Sequence, residues 1–450
     1  MTMYTETEFN MKTKLNLITK HVIEEKNIKF TSLAHLLNVQ TLMESFYELK
    51  RGKAPGIDGE TLKSYGEHLR ERVVDLVERM KSGKYKPQPV KRVYIPKDNG
   101  KRRPLGIPTV EDKIVQMGIT RILNAIYEPM FRDFSYGFRP DRNCHQALNR
   151  LDKSIMNKPV NHIIDADIKG FFDNVDHNWL LRMLKEKIAD KNFLKLIEKI
   201  LKAGIIEEGK LLSSDSGTPQ GGILSPALAN VYLHYALDLW LDKIVKRSAR
   251  GYVEEIRYCD DFVILIQYKE EASRIRSMLE KRLSKFNLEL SREKTRTIEF
   301  GRYAGQNARR KGKKPATFDF LGFTHFSDKT RGGRFKVGRK TKKKKFRQKI
   351  KEMNFWLKRV RNQDKIKDWW KKVKSKLRGH YQYYGVSGNY QGIYRFYKMT
   401  LKLVLKWINR RSQKKSMTIK QFLEYLEKFP LPKPKIKHNF YTLYNKQGEY

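Results

Sequence analysis

The amino-acid sequence predicts an α+β protein: a sheet packed by helices, followed by a mostly α-helical and strongly basic region. Three observations carry that reading. Between about residues 160 and 300, strand-like segments such as HIIDADI alternate with segments of helical periodicity. The run Phe262-Val263-Ile264-Leu265-Ile266 is continuously apolar, which suits a strand buried on both faces. Beyond Arg331 the pattern is helical and crowded with lysine.

Taken in order, residues 1–50 read as amphipathic helices, as in SLAHLLNVQTLMESFYEL. KAPGIDG, from Lys53 to Gly59, is turn chemistry. In KPQPVKRVYIPKDNGKRRPLGIP, the strand-like VYI and the pair Asn99-Gly100 predict a basic β-hairpin. Residues 111–155 read as helical, HIIDADI as a strand, and a helix starts near Asn178. After the loop SGTPQGG comes a second helix with Ser225 as its N-cap and Pro226 in its first turn. VEEIRYCDDFVILIQY reads as two strands meeting at a tight turn. The helix after it places Ala272, Ile275, Leu279, Leu283 and Phe286 on one face. Residues 302–316 read as a charged loop, FDFLGFTHF as one more strand, and KTKKKKFRQKIK as the start of the basic helices.

Composition narrows the function. With 39% hydrophobic and 12% aromatic residues in 450, the chain can build a core, which excludes wholesale disorder. No apolar run approaches the ~20 residues that span a bilayer. The opening MTMYTETEFNMK lacks the apolar core of a signal peptide, so a soluble, cytoplasmic protein is expected. Two cysteines, Cys144 and Cys259, cannot make a disulfide framework or a four-thiolate zinc site, and no HExxH spacing is present. Residues 331–450 carry 36 Lys and Arg against 6 Asp and Glu, so +30 of the total +46 lies there. Such a field attracts a polyanion. An anionic membrane surface competes for that role. But Trp356, Trp369, Trp370, Tyr381, Tyr383 and Tyr384 interleave the charge, whereas a membrane-binding face wants one apolar stripe. Nucleic acid is therefore the expected partner, and no membrane.

Acids stand where core strands should not carry them. Asp165 and Asp167, two apart in HIIDADI, share a strand face. Asp260 and Asp261 sit at the tip of the second hairpin, beside the apolar run. Taken alone, Asp260-Asp261 is also an ordinary hydrophilic turn. Acids at the ends of buried strands are costly unless paired or bound to a cation. If the fold brings Asp167 to Asp260 and Asp261, 93 residues away, three carboxylates converge with no Lys or Arg inside either motif core. Hard oxygen ligands suit Mg²⁺ held together with substrate phosphates, and two such ions would clamp a phosphoryl transfer.

These residues fall in blocks that resemble the group II intron-encoded reverse transcriptases, also called maturases. The blocks are KAPGIDG, YIPK…GKRRPLGIP, SYGFRP, DADIKGFFDNVDH, TPQGGILSPALAN, RYCDDF, LSREKT and FLGF, with KLRGHYQYYGVSGN beyond Arg331. The resemblance implies a right-hand polymerase fold. Residues 1–50 would be an N-terminal helical extension, 51–160 fingers, 161–330 palm with the remaining fingers elements, and 331–450 a thumb or maturase region. It implies an RNA-directed DNA polymerase that uses two Mg²⁺ ions and dNTP substrates to extend a DNA primer or target on an RNA template. It also implies binding of group II intron RNA to assist splicing and retrohoming. Two departures stand out. Cys259 replaces the alanine usual in the YADD turn, and the two cysteines do not supply the clusters of a zinc-containing HNH endonuclease domain. Cleavage of a second strand in cis is therefore not expected.

By motif match, Asp167, Asp260 and Asp261 are the expected catalytic metal ligands, with Asp165 a supporting or solvated group. Phe172 takes the place of the steric gate against a ribose 2′-hydroxyl, and Phe171 should face the core. Lys97 and Arg103 are the expected grip on the incoming triphosphate, Arg by a fork and Lys as a point charge. Gln220, with Gly221 and Gly222, should lie at the nascent pair, and Lys294 is either near the departing pyrophosphate or solvated. Lys91 and Arg92 contact nucleic acid or are merely solvated. So do Lys342, Lys343, Lys344, Lys345 and Arg347, for which duplex or intron RNA is the favoured partner. Two other functions stay open: an RNA-binding splicing cofactor with incidental polymerase activity, and a stand-alone relative used in defence or repair.

Overall fold

The computed structural model describes residues 3–96, 102–207, 210–212, 217–218, 221–411 and 417–441. Two compact units make up the chain. One comprises residues 1–147, 166–264 and 269–296, the other 148–165, 265–268 and 297–450. The chain begins with helices α1 (Met3–Glu24), α2 (Val39–Glu48), α3 (Leu62–Glu67) and α4 (Leu69–Lys81), strands β1 (Val90–Pro96) and β2 (Arg102–Ile107), and helices α5 (Val110–Tyr127) and α6 (Cys144–Asn157). There follow β3 (His162–Asp167), α7 (His177–Lys185), α8 (Lys191–Leu201), β4 (Ile205–Glu207), β5 (Lys210–Leu212), α9 (Ser225–Leu233) and α10 (Lys246–Ser248). Next are β6 (Val253–Tyr258), β7 (Asp261–Ile266), α11 (Lys269–Ser284), β8 (Arg296–Glu299), α12 (Ala304–Arg310), β9 (Thr317–Phe320), β10 (Phe323–Lys329) and β11 (Phe335–Thr341). Helices α13 (Lys343–Val360), α14 (Ile366–Tyr384), α15 (Tyr390–Ile408) and α16 (Ile419–Lys428) complete it. This is a mixed α+β chain. Its sheets run β2-β1-β4-β5, β6-β7-β3-β8 and β11-β10-β9.

In the first unit the apolar periodicity of α11 settles its packing. Ala272, Ile275, Leu279 and Leu283 are fully buried, and each large side chain so buried contributes roughly 1.5–3 kcal/mol. Strand β7 shows the burial its composition demands, with Phe262 through Ile266 all inaccessible to solvent. The basic hairpin forms with β1 and β2 antiparallel, Arg103 opposite Ile95 and Arg102 opposite Pro96. Helix α7 starts one residue before Asn178, capped by the Asp176 carboxylate on the Trp179 N–H.

Four local expectations need correction. Ser225 is inside α9, not its N-cap: the Ile223 and Leu224 N–H groups donate instead to Gln116 Oε1 of α5, at 2.9 and 3.5 Å. Leu224 takes the N-cap place with no side-chain bond, and Gln116 fixes the loop just ahead of the helix. Residues 111–155 are two helices, broken around SYGFRP, where Phe138 takes a left-handed backbone. The loop at 302–316 contains helix α12. FDFLGFTHF is two strands: Leu321 (φ 49°) and Gly322 (φ 81°) both have positive φ, the requirement of a tight type I′ hairpin turn.

The second unit holds the β11-β10-β9 sheet and α13 to α16. Arg331 lies in the turn between β10 and β11, inside this unit. Trp369, Trp370, Tyr381 and Tyr384, which interleave the charge of this region in sequence, are buried. Rings that large are the main apolar payload of a helix this rich in lysine, so the core claims them. A buried ion pair joins Arg339 of β11 to Asp152 of α6, with Arg339 stacked over Phe440. Among the described residues, no helix is long and apolar enough to cross a membrane.

Candidate active site

Strand β7 lies between β6 and β3, so the β6–β7 turn carrying Asp260 comes beside the end of β3 carrying Asp167. The two carboxylates feel each other. Burial first, and then the charge of Asp167, push the Asp260 carboxyl above its ordinary value, while Arg103 of β2 pulls it down. The site thus joins the DADIKGFFDNVDH segment, the YCDD turn and the basic hairpin. Asp261 opens β7, half-buried.

Lys294 lies in the turn before β8, and its Nζ is 2.7 Å from Asp167 Oδ2. The main chain fixes this turn, with Ser291 N–H donating to the Asp167 carbonyl at 2.8 Å. The neutralising cation that neither motif core contains arrives from a different motif, LSREKT. Among the described residues, no group of three or more His, Cys, Asp and Glu side chains is arranged to hold a metal ion. Like charges do not gather unaided, and here Lys294 is the counter-ion of Asp167. Two carboxylates whose mutual repulsion raises one of them are nonetheless a donor set suited to Mg²⁺, which takes one or two carboxylates plus phosphate oxygens.

Several residues hold the YCDD turn, and the sequence reading passed over them. Cys259 is buried with φ 60°, a left-handed conformation that costs a non-glycine residue roughly 1–2 kcal/mol. Its carbonyl accepts from Arg257 Nη1 at 3.1 Å. Arg257 is itself fully buried, gripping both oxygens of Asp238 at 2.7 and 2.5 Å and Asn230 Oδ1 at 3.1 Å. Asn230 Nδ2 in turn donates to the Gly137 carbonyl at 2.7 Å. A side chain at Gly137 would collide with the Cys259 backbone nitrogen. SYGFRP also pairs with β6, through Tyr136 N–H to the Arg257 carbonyl and Arg257 N–H to the Phe134 carbonyl, both 2.9 Å. The signal available was the charge in β6, where Glu254, Glu255 and Arg257 stand in a buried strand.

Phe171 and Phe172 sit on a single 3₁₀ turn after β3, not on the strand. Phe171 is buried against Tyr232, and Phe172 is half-buried. The loop before α9 clasps this turn, with Thr218 N–H on the Phe172 carbonyl at 2.7 Å and Gly217 N–H on the Val175 carbonyl at 2.8 Å. Gly221 (φ 111°) approaches the Gly106 carbonyl of β2, where a Cβ would lie 2.9 Å away. Arg103 and Lys91 are exposed on the hairpin, whereas Arg92 is paired with Glu207 at 3.2 Å. Lys97 and Gln220 lie outside the described residues. In the second unit Lys343, Lys344 and Arg347 are exposed on α13, Lys345 is half-buried, and Lys342 pairs with Asp319 at 3.2 Å.

A family model described as "Reverse transcriptase (RNA-dependent DNA polymerase)" matches residues 95–325, more than half of the chain, including Arg103, Asp167, Asp260, Asp261 and Lys294. The chain belongs to this reverse transcriptase family. Among curated relatives, it is 37% identical over 273 residues to Group II intron-encoded protein LtrA of Lactococcus lactis subsp. cremoris. That alignment covers 58% of this chain and 45% of LtrA. It is 34% identical to Protein YkfC of Escherichia coli (strain K12), over 48% of this chain and 65% of that protein. It is also 31% identical to the Putative COX1/OXI3 intron 1 protein of Saccharomyces cerevisiae, over 52% and 28%. The chain thus matches about half the length of LtrA. The resemblance to group II intron reverse transcriptases and maturases holds across these relatives.

Proposed function

We propose that this chain is an RNA-directed DNA polymerase that adds deoxynucleotides to a primer 3′ end on an RNA template, in the right-hand arrangement. Residues 51–160 act as fingers, 161–330 as palm and 331–450 as thumb, after the N-terminal helical extension 1–50. The observation that carries this reading is the adjacency of Asp167 and Asp260, 93 residues apart in sequence, beside Lys294 and Arg103. Asp167, Asp260 and Asp261 are the residues that would hold two Mg²⁺ ions. Bound there, magnesium neutralises charge on the attacking and leaving oxygens of the transfer.

The chain's own residues do the rest. Arg103 presents a fork to the incoming phosphates, and Lys97 joins it in this proposal. Phe172 stands beside the sugar and excludes a 2′-hydroxyl, its carbonyl held by Thr218. Lys294 exchanges Asp167 for the departing phosphates as these enter. Arg257 keeps the YCDD turn in its left-handed form, so Asp260 needs no rearrangement at the moment of reaction.

The second part of the proposal is intron RNA binding, for splicing and retrohoming in the cytoplasm. Exposed Lys343, Lys344 and Arg347, in a segment of net +30, support it. The experiment is the double substitution Asp260→Ala with Asp261→Ala. It should abolish cDNA synthesis in a primer-extension assay and leave RNA retention and splicing unchanged. Persistent cDNA synthesis would refute the assignment, and joint loss of RNA binding would mean that the turn is structural.

A further inference from the structure

Phe138 stands in a conformation that its residue type resists. Its φ is 57°, in the left-handed region, and it is the bulkiest side chain at positive φ among the described residues. Glycine or asparagine would take that backbone with less strain. Burial does not explain the ring either, because 54% of Phe138 is exposed.

Its neighbours hold the backbone there. On one side Gly137 abuts the Cys259 nitrogen, where an added Cβ would lie 2.4 Å away, and its carbonyl accepts from Asn230 Nδ2 at 2.7 Å. On the other side Arg139 is buried. Its guanidinium donates to the Glu128 carboxylate at 2.6 and 2.9 Å and to the Arg132 and Ser135 carbonyls, both at 2.7 Å. Between these two anchors the chain turns left-handed at residue 138 and leaves the ring in solvent. The ring beside it is Tyr258, half-buried at the end of β6, with centroids 6.5 Å apart at 45°.

A lone exposed ring on a protein surface is ordinary, but one kept at a strained position is not. Strain of this kind gathers at active sites and ligand clamps. Tyr258 leads directly into Cys259 and Asp260, so a ligand covering Phe138 lies at the YCDD turn.

We propose that Phe138 and Tyr258 form a two-ring shelf for the terminal nucleotide of the primer strand. The proposal rests on the polymerase reading above and names a part of its substrate site. The primer 3′-hydroxyl has to reach the ions that Asp260 and Asp261 would hold, which brings its last nucleotide to this turn. The incoming nucleotide is met by other elements in that reading, Arg103 of β2 and Phe172 after β3. A lysine here would grip phosphate alone. A phenyl ring covers the sugar and base instead, and does so for any sequence, since every nucleoside has an apolar face.

Phe138→Gly removes the ring and the strain together. The full chain is titrated by fluorescence anisotropy, at one fixed salt concentration, with a DNA primer annealed to an RNA template. Single-nucleotide incorporation and thermal unfolding are followed on the same preparation. Covering the exposed half of a phenylalanine corresponds to about tenfold in affinity. Kd and KM for the annealed primer should therefore rise about tenfold in Phe138→Gly. The rate at saturating primer should hold, and the thermal midpoint should stay at or above that of the wild type. Phe138→Tyr, which keeps the ring, should bind as the wild type does. An unchanged Kd in Phe138→Gly overturns the shelf. A thermal midpoint that falls together with the saturating rate also overturns it, because the ring is then a structural support of the turn. These two failures leave a wild type that extends primers. A wild type that extends none overturns the polymerase reading, and the shelf with it.

Discussion

Arg257→Met separates the two services that this residue performs. In the wild type the guanidinium grips Asp238 at 2.7 and 2.5 Å, and both side chains are fully buried. Methionine fills similar space but leaves the Asp238 carboxylate uncompensated, next to Glu255, whose own charge is already suppressed by burial and by Asp238. Breaking a buried pair from one side costs about 3–5 kcal/mol. The loss should barely depend on salt, because the pair is shielded from solvent ions. Replacing both partners, as Arg257→Met with Asp238→Leu, removes the stranded charge and should recover most of that loss, since apolar replacements of buried pairs are often neutral or better. The Cys259 carbonyl has lost its donor in both variants, however. Primer extension should therefore stay impaired in the double variant although its stability returns. Urea unfolding followed by tryptophan fluorescence reads the first effect and single-nucleotide incorporation the second. A single variant within about 1 kcal/mol of the wild type would refute the electrostatic account, for that is the range of exposed ion pairs. Full activity in the double variant would refute the positioning of the turn.

Phe172→Ala should admit ribonucleotides. Pocket-size discrimination is worth ~1–3 kcal/mol, so the rNTP-to-dNTP ratio in primer extension should rise by about 10–200-fold. Stability should fall in mild acid, because burial holds His325 neutral with a pKa of about 4. The unfolded chain takes up a proton near pH 6.5 that the folded chain refuses, so this contribution is intact above that pH and is lost on going toward 4. The loss is roughly 3 kcal/mol at 1.36 per pH unit. His325→Phe should reduce that slope in urea midpoints taken from pH 7 to pH 4 by one histidine's share, the buried His234 and His380 supplying the rest. Glu255 acts in the opposite sense. Its carboxyl is pushed well above the ordinary range by burial, and neither oxygen has a partner. Keeping it protonated costs nothing below the ordinary carboxylate range and more as pH rises, so Glu255→Met should gain stability over the wild type at pH 8 but not at pH 4.

Much of the fold was legible because its signals are local. The buried run of β7, the apolar face of α11 and the basic hairpin each follow from periodicity or composition within a few residues. The errors share one cause. The loop ahead of α9 is tied to Gln116, over a hundred residues earlier, and the helix starts one residue before the point that a Ser225 N-cap would set. Leu321-Gly322 was read through as strand because a leucine at positive φ is not what turn chemistry leads one to expect.

Read by itself, the chain determined which residues carry charge, which segments alternate and which motifs follow one another, and through them the family. Only the tertiary structure decided that Lys294 pairs with Asp167, that Arg257 and Asp238 support the YCDD turn, and that Phe138 comes beside Tyr258. The physical reason is distance along the chain. A carboxylate's partner is chosen by proximity in space, and Lys294 is 127 residues from Asp167. No periodicity or local propensity reaches that far, whereas a buried charge must find its counter-charge wherever the fold supplies it.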